Sequence, residues 1–152
     1  RAHGIQLFAL IFVYVSKITG YYYAYLKEIE MNFLGNLIWL IFGGFLSGMG
    51  YILGGLLTML TIIGIPFGAQ AMKLGAATMT PFGREIVESD DAANPLNIVF
   101  NILWAIFFGW EIAVSHLVHG LILAITIIGL PFAKQHFKLI PLALFPFGKE
   151  LR

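Results

Sequence analysis

The chain is written twice. "TIIGIPFGAQAMKL" at residues 61–74 returns as "TIIGLPFAKQHFKL" at 126–139, and the match continues on both sides at a constant offset of sixty-five residues. Asn32, Asn36, Trp39, Ile41, Phe42 and Gly44 fall on Asn97, Asn101, Trp104, Ile106, Phe107 and Gly109. Further along, Gly55, Thr61, Gly64, Pro66, Gln70, Lys73, Pro81, Phe82, Gly83 and Glu85 fall on Gly120, Thr126, Gly129, Pro131, Gln135, Lys138, Pro146, Phe147, Gly148 and Glu150. Roughly twenty of about fifty-six aligned positions are identical without a gap, so whatever one half forms, the other must form too. The repeats occupy residues 31–88 and 96–152, behind an unrepeated segment, 1–30.

Composition places the repeat in a bilayer. The chain is 59% hydrophobic and 11% charged, against about a quarter charged in soluble domains. A net charge of +1 provides no field for nucleic acid, and the absence of cysteine excludes disulfides and thiolate metal sites. Residues 33–65 carry no charged side chain, and residues 96–131 carry only Glu111 besides His116 and His119. Each run is about thirty-five residues, roughly 50 Å as one straight helix against a hydrocarbon core of roughly 30 Å. A long tilted or bent helix fits, as does a hairpin of two short helices. The glycine-dense "GGFLSGMG" (43–50) and the polar "GWEIAVSH" (109–116) favour a turn in the middle of each run.

Charge supports the same arrangement. Lys73 and Arg84 follow the proline of the first repeat, and Lys134, Lys138, Lys149 and Arg152 follow that of the second. If both flanks lie on the cytoplasmic side, the path between them crosses the membrane an even number of times, which predicts two parallel repeats. Pro66 and Pro131 are expected to stop or kink the membrane helix at the interface. The segment after each is amphipathic; Lys134 and Lys138, four apart, share a face and point an interfacial helix toward lipid phosphates. "PFG" (81–83 and 146–148) predicts a turn. In residues 1–30, "IQLFALIFVYVSKITGYYYAYL" is long enough to span, with Tyr21, Tyr22, Tyr23 and Tyr25 as an aromatic belt. Lys17 must then snorkel or face protein, and no small-residue cleavage site marks a signal peptide. A surface-lying helix is one alternative; because the chain begins at Arg1 and Met31 heads the repeat, vector-derived or upstream residues are another.

The succession NxxW, FFGW, a histidine seven residues beyond the FFG glycine, TIIGIP, a lysine and PFG resembles the YccF family of small bacterial inner-membrane proteins, built from two tandem YccF domains. The matching positions are Asn36, Trp39, Gly44, Gly64, Pro66, Lys73, Pro81 and Gly83, then Asn101, Trp104, Gly109, Trp110, His116, Gly120, Gly129, Pro131, Lys138, Pro146 and Gly148. The resemblance covers residues 31–152 and implies a multi-pass bacterial inner-membrane location. It implies no activity, catalytic residue or cofactor, and Glu111 and His119 stand outside its pattern.

Candidate sites follow from polar groups in apolar runs. Asn36 and Asn101 each share a helix face with the tryptophan three residues on, and either glue helices together or line a polar pathway. Glu111, His116 and His119 form a titratable cluster for headgroup contact or for ion or proton handling. Their first-repeat counterparts are Leu46, Tyr51 and Gly54, and no HExxH accompanies them, so metal catalysis is not expected. Lys73, Lys134, His136 and Lys138 are candidates for anion or anionic-lipid headgroup contact. The sequence thus predicts an all-α integral membrane protein without cofactor or enzymatic activity. Its expected function is that of a small oligomeric channel, a homo-oligomer because one chain is too small to enclose a path; a non-conducting accessory protein binding lipid or membrane partners is the rival.

Overall fold

The computed structural model describes the backbone of residues 2–152 and the side chains of residue 10 and residues 13–152. Arg1, and the side chains of residues 2–9 and 11–12 in the expected N-terminal span, lie outside the described residues. Two compact units divide the chain, residues 1–34 and 35–152. The first belongs to helix α1 (Ala2–Trp39). Its tyrosines Tyr21, Tyr22, Tyr23 and Tyr25 are exposed. Ser16 and Thr19 donate their hydroxyls to Val13 O and Val15 O of the same helix, so neither carries an unmet donor into apolar surroundings.

In the second unit, α1 ends at Trp39, passes through a π-helical stretch at Leu40–Gly44 and continues as α2 (Phe45–Thr58). Then come α3 (Ile65–Thr78) and strand β1 (Ile86–Glu88). The second repeat has the same order: α4 (Leu96–Trp104), a π-helical stretch at Ala105–Gly109, α5 (Trp110–Ala124), α6 (Leu130–Leu144) and β2 (Lys149–Leu151).

The turn expected in the middle of each apolar run does not form; both 43–50 and 109–116 lie within long bent helices. The glycines that suggested it serve packing. A Cβ on Gly48 would fall 2.8 Å from Gly75 O, and one on Gly55 2.7 Å from Gly68 O, so α2 and α3 touch backbone to backbone. The chain reverses later, at residues 59–64 and 125–129, and α3 and α6 fold back along α2 and α5. Pro66 and Pro131 do not end the preceding helix. Each sits in the first turn of the next, where its missing N–H is no loss. Thr61 and Thr126 close the reversal by accepting the Gly64 and Gly129 N–H through their hydroxyls, at 3.1 and 3.0 Å. At Gly64 a Cβ would meet Thr58 O at 2.1 Å, so the repeated phrase TIIGxP encodes this tight tip.

The two repeats pack about a pseudo-twofold axis, with equivalent helices antiparallel where they cross. Gly43 lies against His119, Gly50 against Ile112, and Gly54 against Trp104 and Phe108, so numbering rises on α2 as it falls on α5. The strands obey the same symmetry: β1 and β2 pair antiparallel, with the equivalent residues Ile86 and Leu151 opposite one another. The cations that follow the two prolines gather beside this two-stranded ribbon, Lys73 at Glu150 and Lys138 at Arg84 O.

Each repeat ties its indole to its own returning helix and packs the ring on the other repeat. Trp39 and Trp104 are buried, and their Nε1–H groups donate to Thr78 O at 2.8 Å and Ala143 O at 3.0 Å. The Trp39 ring packs on His136 and the Trp104 ring on Tyr51. Since lipid is as apolar as leucine, this core is held by close packing and such hydrogen bonds more than by hydrophobic transfer.

Candidate functional site

Two polar constellations stand out, a charged ribbon and a histidine cluster. The ribbon begins with the PFG turns, where Gly83 and Gly148 take φ of 80° and 88°. Asn101 grips Phe147 through both amide atoms: Nδ2 donates to Phe147 O at 3.0 Å, and Oδ1 accepts the Phe147 N–H at 2.9 Å. Asn36 holds Phe82 identically, at 3.2 and 2.9 Å. Both asparagines mimic a strand partner and launch β1 and β2 from the turns.

The lysines then reach across the symmetry axis. Lys73 donates to Glu150 at 2.7 Å, while Lys138 donates to Pro81 O at 3.3 Å and Arg84 O at 2.9 Å. Lys73 holds the Glu150 carboxyl below the usual glutamate range, chiefly through that hydrogen bond. Gln70 adds a bond to Lys149 O at 2.7 Å. Lys73 stands on α3 between Gly68 and Gly75, which face Gly55 and Gly48; the ribbon therefore flanks the middle of α2. Lys134 and the residues Arg84, Glu85, Glu88 and Arg152 are exposed.

The histidine cluster joins His136 of α6 to His116 and His119 of α5. Nδ1 of His116 lies 2.9 Å from Nδ1 of His136, and Nε2 of His136 lies 3.3 Å from Phe42 O. A carbonyl only accepts, so His136 carries its proton on Nε2 and, when neutral, accepts at Nδ1. His116 must then donate from Nδ1, which leaves its buried Nε2 a lone pair without a partner. His119 turns its Nδ1–H to Ser115 O at 2.7 Å. Phe42 O is available because the helix breaks there: Phe42 has ψ of 32° and Gly43 φ of 120°. Among the described residues, no three histidine or carboxylate groups are placed to hold a metal ion.

The two groupings read from the sequence are thus redrawn. His136, placed among the headgroup lysines, belongs with His116 and His119. Glu111 is exposed instead, in a cleft with Ser47, Gly50 and Ser115. Glu150 went unsingled, although its repetition of Glu85 after PFG was a visible signal. Nothing in the sequence marked the Phe42 carbonyl as a free acceptor.

Two symmetric copies of a bent helix pair, largely apolar outside and joined by a charged ribbon, define a two-repeat helical membrane protein. The helices Val13–Thr58 and Leu96–Ala124 are long and apolar enough to cross a bilayer. The chain belongs to the YccF family, an inner membrane component domain that matches residues 34–84 and 99–149. Over 124 residues it is 29% identical to the Inner membrane protein YccF of Escherichia coli K12, covering 76% of this chain and 84% of that relative. The figures are the same for the Inner membrane protein YccF of Shigella flexneri. No solved structure matches. The inner membrane location expected from the sequence is borne out.

Proposed function

We propose that the chain is the subunit of a small oligomeric permeation protein, in which the ribbons of several copies face a shared aqueous path. The observation that carries this reading is the run of charge beside the middle of α2: Lys73, Arg84, Glu85, Glu88 and Arg152 are exposed at the ribbon, next to largely apolar helix faces. A charged side chain at the bilayer centre costs about 3 kcal/mol on insertion scales, so five cost roughly 15 kcal/mol. That equals the whole stability of a typical domain, about 5–15 kcal/mol. With α2 and α5 across the membrane, these charges would lie at bilayer depth and would need water, which the facing ribbons of several copies would supply.

A non-conducting accessory role is the second reading. It is favoured by the internal use of the polar groups expected along a pathway: Asn36 and Asn101 are spent on the PFG turns, and His116 is buried. In that case the ribbon face rests at the membrane surface, with Lys134 turned toward anionic headgroups. Mass measurement in nanodiscs together with ion flux in liposomes separates the two. An oligomer whose ion preference changes on Arg84→Gln or Arg152→Gln is expected; a monomer without flux would overturn the permeation reading.

A further inference from the structure

One cavity, of about 290 Å3, is apolar on one side and polar on the other. Its apolar wall comes from the first-repeat tip: Ile62, Ile63, Pro66 and Phe67. Its polar wall includes Asp91 and Asn97, where the linker 89–95 gives way to the first turn of α4. This is the transition from polar to apolar chain, where a headgroup meets its tails.

Most polar atoms here are committed. Gln70 donates to Lys149 O at 2.7 Å, and Asn94 Oδ1 accepts the Leu96 N–H at 3.0 Å. Asn97 Nδ2 donates to Asp91 O at 2.7 Å, and the Ser89 hydroxyl donates to Asp91 Oδ1. Asn97 Oδ1 remains. Its residue is 4% exposed, and the oxygen has no partner. A buried acceptor without a partner is destabilising, so the site calls for a donor. The second oxygen of the Asp91 carboxylate adds negative charge, with Asp90 next in the chain.

We propose that this cavity binds a membrane lipid bearing a primary ammonium headgroup. The ammonium N–H groups would bond Asn97 Oδ1 and the Asp91 carboxylate, and an acyl chain would lie along Ile62, Ile63, Pro66 and Phe67. A trimethylated headgroup has no N–H to give, and an anionic headgroup meets the Asp91 charge. The site adjoins the ribbon, with Phe147 and Gly148 of its turn in the wall, but uses none of the exposed charges on which the permeation reading rests.

The test is native mass spectrometry of the full chain with phosphatidylethanolamine, phosphatidylcholine and phosphatidylglycerol of matched acyl chains. Retention of the ethanolamine lipid should exceed that of either other lipid by about tenfold, as a charge-assisted bond implies. Asp91→Asn should reduce that preference severalfold with the helical circular dichroism unchanged; Asn97→Leu should do so too, but also removes a bond within the linker. Soluble ethanolamine should not displace the lipid at millimolar concentration. Equal retention of the three lipids, a preference indifferent to Asp91→Asn, or displacement by soluble ethanolamine would each overturn the assignment.

Discussion

Replacing Asn101 with alanine removes both bonds of its grip on Phe147. Each is worth about 1 kcal/mol net, and orphaning a buried backbone group adds roughly 1–3 kcal/mol. Phe147 is 4% exposed and packs its ring edge-on against Phe67 and Trp104, so its freed N–H and C=O find no ready substitute. The expected loss is about 3 kcal/mol. The symmetric replacement, Asn36→Ala, breaks the same pair of bonds at Phe82, which is only half-buried, and one of them is already longer at 3.2 Å. Its expected loss is about 1.5 kcal/mol, because water or headgroups reach the freed groups. Equilibrium unfolding in mixed micelles, followed by far-ultraviolet circular dichroism, measures both. A loss on Asn36→Ala as large as that on Asn101→Ala, or losses below about 0.5 kcal/mol for both, would refute the reasoning from burial.

Cysteines placed at Lys73 and Lys138 should react alike with an impermeant thiol reagent in intact cells, because both lysines flank one ribbon; labelling of one alone would contradict the shared face. Glu150 has its carboxyl pKa depressed in the folded state, so the stability that it contributes is present above the ordinary glutamate pKa of about 4.3 and is lost as pH falls through the folded value. Glu150→Gln should therefore flatten the acid limb of an unfolding-versus-pH curve, and an unaltered limb would discount the Lys73 pair. Gly55→Leu should destabilise the isolated subunit by more than about 3 kcal/mol, since the glycine touches Gly68 O within its own chain. A subunit that keeps its stability and loses only its assembly would assign that glycine to an interface instead.

The repetition, the membrane class and the PFG turns were legible in the sequence because each is local or periodic. The place of reversal was not. Glycine density signals either helix termination or close helix contact, and only the partner helix, here Gly68 and Gly75 facing Gly55 and Gly48, decides which. The pairing between the repeats was hidden for a related reason. Charge counting groups Lys73 with Lys138 but does not name what each meets across the ribbon, Glu150 and the Arg84 carbonyl. The histidine cluster was half visible: His116 and His119 share a helix face, but His136 joins them only because α6 folds back along α5.

The difference between the repeats around their tryptophans makes the helix break itself testable. Trp104 packs on Tyr51, with Ala71 in the slot equivalent to His136; Trp39 packs on His136, which needs an acceptor for its Nε2–H. A regular helix would keep Phe42 O in its own ladder. The break at Phe42 and Gly43 releases that oxygen, whereas the second repeat has Phe108 at the position of Gly43 and only a π-helical widening. Gly43→Ala should therefore act twice. Its φ of 120° strains any side chain, by about 1–3 kcal/mol, and its Cβ would lie 3.0 Å from Cε1 of His136. His136→Ala relieves the contact but not the dihedral. In a double-mutant cycle the two substitutions should couple by about 1 kcal/mol, the pair costing less than the sum of the single changes. If alanine drives residue 43 back into regular helix, Phe42 O leaves His136, and the nitrogen resonances of that ring should report a loosened Nε2–H. Additive energies, together with a His136 ring indifferent to Gly43→Ala, would mean that the break does not serve the histidine.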